Sequence, residues 1–142
     1  MPYATLQQLI DRFGEGTLVG LTDRAEVATG VIDQAAVDRA LADADAAIDG
    51  RLLGRYRLPL GSVPPLLVDL ALSLAIYKLH PFDPATKVRL DYEDALKTLA
   101  QIGRGEVRLD VAGLEPETTG GGAARVTDRE RPFTAETMRG FI

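Results

Sequence analysis

Between Pro64-Pro65 and His80-Pro81 lies a run, Leu66 to Leu79, that is apolar nearly all round, with Asp69, Ser73 and Lys78 as its main polar breaks. Pro64 and Pro65 suit a first helical turn, where no amide partner is lost, and Pro81 stops the helix. A helix of this kind must be covered on most of its sides. At 14 residues with an Asp and a Lys it is too short and too polar to cross a membrane, which takes about 20 apolar residues. It reads as a central core helix, and the rest of the chain has to supply the cover.

Three other segments fit that task. Thr5-Leu6-Gln7-Gln8 has the capping-box pattern, and Leu6, Leu9, Ile10 and Phe13 follow on one helical face. The stretch Gly14 to Ile32, with four glycines and scattered apolar residues, reads mainly as a loop with one short helix around Thr17–Thr22. Asp33 suits an N-cap for a helix from Gln34 to about Arg55, whose buried stripe is Val37, Leu41, Ala44, Ile48 and Leu52. The small residues Ala40, Ala44 and Ala47 would let a neighbouring helix come close. Tyr56 to Val63 is a connector broken by Pro59 and Gly61. Asp83-Pro84 predicts the start of a last helix, with Val88, Tyr92, Ala95, Leu96, Leu99 and Ile102 as its stripe and Gly103 and Gly105 as its stop.

Beyond Gly105 the pattern changes. Glu106 to Val111 alternates polar with apolar, which predicts a short strand. Pro116, Thr118-Thr119 and Gly120-Gly121-Gly122 read as a linker, and the last stretch is apolar again at Phe133, Met138 and Phe141. The fold class expected is all-α: a small helical bundle of four to five helices over residues 1–105. An extended C-terminal arm over 106–142 follows, with a glycine hinge at 120–122 and that short strand. The arm's composition fits a disordered terminus as well as a segment that orders against a partner.

The residue inventory excludes most familiar chemistries. The 142 residues include no cysteine and one histidine, which removes disulfides, thiolate metal sites and cysteine nucleophiles and leaves no histidine-based triad. His80, before a proline at a helix end, reads as a capping or solvent-facing residue. Ser62 and Ser73 have no evident base, and the Gly120–Gly122 run neither follows a strand nor opens a helix, so it is no phosphate loop. Sixteen Lys plus Arg against 21 Asp plus Glu give a net charge of −5, which argues against a sequence-independent grip on nucleic acid. The start, Met1-Pro2-Tyr3-Ala4-Thr5, shows no signal-peptide pattern, so the cytoplasm is the default compartment.

Three charged groups invite a functional reading. Asp38, Asp45 and Asp49 share a strip beside the apolar stripe and are oxygen ligands in type. No second acidic cluster completes them, and a solvated face with an Arg39–Asp43 pair one turn apart is the simpler reading. Asp23, Glu26 and Asp33 lack the alternation of a calcium loop, because Ala25, Val27 and Ala28 intervene. Arg51, Arg55 and Arg57 cluster at a helix C-terminus, where the macrodipole favours cations. The same guanidinium forks would suit a carboxylate-bearing or phosphate-bearing partner. Nothing here supports an enzyme, and no metal or cofactor is expected.

Several local patterns carry a resemblance. Tyr3-Ala4-Thr5 leads to Arg12-Phe13-Gly14-Glu15 and Leu21-Thr22-Asp23-Arg24. Ala40 to Asp45 is followed by Ile48-Asp49-Gly50, Arg55-Tyr56 and Leu58-Pro59-Leu60, the most specific part. Val63 to Leu67 and Tyr92 to Leu96 continue it. Over roughly Tyr3 to Gly105, and more weakly at Pro132-Phe133-Thr134 and Arg139-Gly140-Phe141, the chain resembles the Mu-like phage head–tail adaptor family, small head-completion proteins. It departs in the loop after Arg24, where other members often carry more acidic residues.

The resemblance implies structural work in the virion, at the head–tail neck, after assembly in the bacterial cytoplasm. Such adaptors form a ring beneath the phage portal protein once DNA is packaged, extending the channel and receiving tail components. The implied partners are the portal, neighbouring copies in a ring of expected twelvefold symmetry, and a stopper or tail-terminator component. DNA would pass through without specific binding, and no membrane is involved. Within that role the contact residues expected are Arg51 and Arg55, with Phe133, Met138 and Phe141 as anchors of the arm. The alternative class is a small helical DNA-binding or protein-interaction module of a prophage. It lacks a predominantly basic helix.

Overall fold

The computed structural model describes residues 2–110. Its first helix, α1 (Leu6–Phe13), starts on the expected capping box: the Gln8 amide N–H donates to Thr5 Oγ1 and the Thr5 N–H donates to Gln8 Oε1. Gly14, at φ 89°, turns the chain sharply into α2 (Glu15–Thr22), a conformation open to glycine at no steric cost. The segment 14–32 is therefore more helical than its glycines suggest. Helix α2 fills its first half, and the loop is confined to Asp23–Ile32.

Helix α3 (Gln34–Leu52) is capped by Asp33, whose carboxylate accepts the Ala35 N–H at 3.1 Å. It ends three residues earlier than Arg55, and a tight turn carries the chain to Tyr56, whose N–H reaches Leu52 O. Helix α4 (Pro65–Leu79) is buried on nearly every face, as its composition requires. It packs chiefly against α3 and then against α5 (Thr86–Arg104), and α1 leans on its other side. Helix α5 starts after Ala85 with no side-chain cap. Asp83 and Pro84 thus belong to the connector and not to the first turn.

The core is a single cluster at the α3–α4–α5 junction, closed by Tyr3, Leu9 and Leu18 from the N-terminal side. Each large side chain buried there contributes about 1.5–3 kcal/mol relative to exposure. Two aromatic rings, Tyr77 on α4 and Tyr92 on α5, stack with centroids 3.8 Å apart. Arg12 and Asp69 tie α1 to α4 at 2.5 Å, but both are well exposed and such a pair adds little. The strand expected over 106–111 is absent from 106–110. That segment folds back in irregular form, Leu109 is buried, and its N–H donates to the Tyr56 hydroxyl at 3.0 Å. No helix among the described residues is long and apolar enough to cross a membrane.

Candidate interaction surfaces

The direction of the helices decides which charged residues meet. The start of α3 lies beside the end of α4: Ala36 and Arg39 share a cleft with Lys78 and Leu79, and Arg24 Nη2 donates to Leu79 O at 2.8 Å. Helices α3 and α5 both run against α4, so their C-termini converge. A β-carbon on Gly103 would stand 3.3 Å from Arg51 O. At Gly105 (φ 79°) it would stand 2.1 Å from Arg55 Nη2, so the guanidinium occupies the space that the missing side chain leaves.

This convergence gathers Arg51, Arg55, Arg57, Arg104 and Arg108 at one end of the bundle, with Leu53 71% exposed among them. Their acidic neighbours in the segment are Glu106, paired with Arg104 at 3.0 Å, and Asp110. The remaining described residues carry seven Lys or Arg against fourteen Asp or Glu, so the molecule is electrically polar. Two helix C-termini, each equivalent to a partial negative charge, favour the cations there. Arg51 and Arg57 are exposed, whereas Arg55 is half-buried and its Nε has no hydrogen-bond partner among the described residues. The sequence reading found Arg51, Arg55 and Arg57 but missed Arg104 and Arg108. The signal was available in the topology, because two helices packed against the same third helix in the same sense end together.

Of the three aspartates in one strip, Asp45 and Asp49 are not a solvated face. The Tyr3 N–H donates to Asp45 Oδ1 at 3.0 Å and the Tyr3 hydroxyl donates to Asp49 Oδ1. Burial pushes the Asp45 carboxyl above its ordinary range, and burial with the Asp49 hydrogen bond pushes the Tyr3 phenol up. Asp38 accepts from Gln34 Nε2 at 2.9 Å. The Arg39–Asp43 pair is not among the ion pairs of the described residues.

Asp23 organises its own loop. Its carboxylate accepts the N–H groups of Thr29 (2.9 Å) and Gly30 (3.0 Å), which pull its pKa down, and the Thr29 hydroxyl. Thr22 anchors the loop from below, donating to Leu18 O and accepting the Asp33 N–H. An open cleft of about 610 Å³ lies between this loop and the start of α3, with Val31 on its rim. His80 closes α4 with Nδ1 2.7 Å from Ile76 O, the capping position expected. No group of three His, Asp or Glu side chains is arranged for a metal among the described residues. Phe133, Met138 and Phe141 lie outside them.

Comparison with known proteins extends past the helical core. The chain is 32% identical over 142 residues to gene product J of Escherichia phage Mu, covering all of both chains. It is 30% identical over 140 residues to the Mu-like prophage FluMu protein gp36 of Haemophilus influenzae, covering 99% of this chain and 98% of that one. The family model described as Bacteriophage Mu, Gp36 matches residues 3–128, beyond the Gly105 limit of the strong resemblance. This protein belongs to the Bacteriophage Mu Gp36 family.

Proposed function

We propose that the protein is a structural component of the virion, a head–tail adaptor that docks as a ring under the portal after DNA packaging. In this role it extends the channel and presents the surface on which a stopper or tail-terminator component assembles. The observation that carries the reading is the full-length match to a phage Mu gene product by a small helical bundle with two electrically unlike surfaces. A ring is a heterologous assembly, in which each subunit must offer two different and complementary faces. A chain of net charge −5 lining a channel repels phosphates and lets the duplex slide. Arg51 and Arg55 serve as contact residues, with Phe133, Met138 and Phe141 as the anchors of a C-terminal arm.

In vitro complementation tests this role. Purified full-length protein is added to a lysate of the phage lacking the gene, and infectious particles are counted. Recovery of infectivity with DNA-filled heads and free tails already present is the expected result. Failure to recover any, with the heads and tails both competent in control mixtures, contradicts the adaptor role.

A further inference from the structure

We infer that the arginine end of one copy docks on the outer face of α3 in a second copy, and that this contact is the one that closes the ring. The inference rests on the ring proposed above and names its contact. Arg51 and Arg57 are exposed beside Leu53, and this mixture of guanidinium groups with an apolar side chain is the composition of a protein interface. Duplex DNA is the poorer occupant. Arg104 is already held by Glu106, and the few remaining cations would cover two or three phosphates, a grip that physiological salt largely removes.

The second copy is the occupant because the complementary surface exists on the same chain. Outside the arginine end, carboxylates outnumber cations two to one among the described residues. On α5 they are neutralised locally, Asp91 by Lys87 and Asp94 by Lys97. On α3, Asp45 and Asp49 are half-buried and held by Tyr3, whereas the exposed Asp38 and Asp43, with Arg39 beside them, make no ion pair among the described residues. The outer face of α3 also carries Ala42, Ala46 and Gly50, all exposed, so a neighbour can approach the backbone closely. The two surfaces are different, which makes the contact head-to-flank and able to propagate around a ring.

The absence of cysteine gives a clean test. Leu53→Cys and Ala42→Cys are placed singly and together in the full chain, within phage lysates, and treated with a short bismaleimide. The two positions lie eleven residues apart along one helix, about 16 Å, beyond the reach of such a linker within one chain. The double variant should give a ladder of multimers, the two single variants nothing, and their mixture dimers only. Multimers formed by an amine cross-linker without any thiol ladder overturn this contact and leave the ring standing. No multimers by either chemistry overturn the ring, and this contact with it. Dimers from either single variant show a two-fold contact and also overturn the inference. As a second readout, Arg51→Glu with Arg57→Glu should abolish the ladder, and Asp38→Arg with Asp43→Arg in the neighbouring copy should restore it.

Discussion

Tyr3 and Asp49 are joined by a hydrogen bond across 46 positions of sequence, phenol to carboxylate, while the Tyr3 N–H holds Asp45 one turn earlier on α3. This pair of contacts clamps the segment before α1 onto the middle of the bundle. Tyr3→Phe keeps the buried ring and removes the phenol, leaving Asp49 one donor short. The expected loss is about 1–3 kcal/mol, because the acceptor is charged and partly buried. Urea unfolding of the two proteins measures it, and equal midpoints would remove the clamp from the account.

The same cluster sets a pH dependence. The folded Asp45 binds its proton more tightly than the unfolded chain does, so its contribution is complete below the ordinary carboxylate pKa of 3.8 and is lost as pH rises through the elevated value. Tyr3 behaves alike at the alkaline end. Its contribution is complete below the ordinary phenol pKa of 10.0 and is lost above it. Asp23 has the opposite sign, stabilising above its ordinary pKa and losing that effect as pH falls through the lowered value. Asp45→Asn, which keeps an oxygen for the Tyr3 N–H, should flatten the decline just above pH 3.8; Tyr3→Phe should flatten the decline above pH 10. Melting temperature against pH for the three proteins shows whether the slopes change as stated.

Gly105 is required twice, once for its left-handed backbone and once for the space that the Arg55 guanidinium fills. Gly105→Ala should cost about 1–3 kcal/mol in backbone strain alone, with the displaced arginine adding to it. Combining it with Arg55→Ala relieves the second part only, so a double-mutant cycle should show coupling between the two sites. Strict additivity in denaturant unfolding would mean that the two residues do not share that space.

The Tyr56 hydroxyl accepts the Leu109 N–H and holds the start of the C-terminal segment to the core. Tyr56→Phe removes a bond worth about 1 kcal/mol, roughly a fivefold change in a local opening equilibrium. Amide exchange at Leu109 should accelerate by about that factor while amides in the middle of α4 keep their rates. Unchanged exchange at Leu109 would show that other contacts hold the segment.

What the sequence disclosed follows from how local each interaction is. The Thr5–Gln8 box, the Asp33 cap and the stripes of α3 and α5 are readable because their partners lie within one to three turns. The largely apolar α4 announced its central place for the same reason. The Tyr3 clamp joins residues 42 and 46 apart, which no periodicity reveals, and it turned two aspartates from a solvent face into half-buried acceptors. Asp83-Pro84 has the composition of a helix start, yet the connector runs on to Ala85 before α5 begins. Glu106 to Asp110 alternates as a strand does, and its apolar residues Val107 and Leu109 do face the core. No strand lies beside it among the described residues to pair with, and the segment stays irregular. The arginine end was half legible, as Arg51, Arg55 and Arg57 lie close together in sequence, whereas Arg104 and Arg108 join them only through the packing.

Electron microscopy of lysates from a phage or induced prophage lacking this gene tests the central claim most directly. The account predicts DNA-filled or leaked heads lying beside complete, unattached tails, with joined particles restored when the gene is supplied in trans. Normal joined virions in the deletion would contradict it.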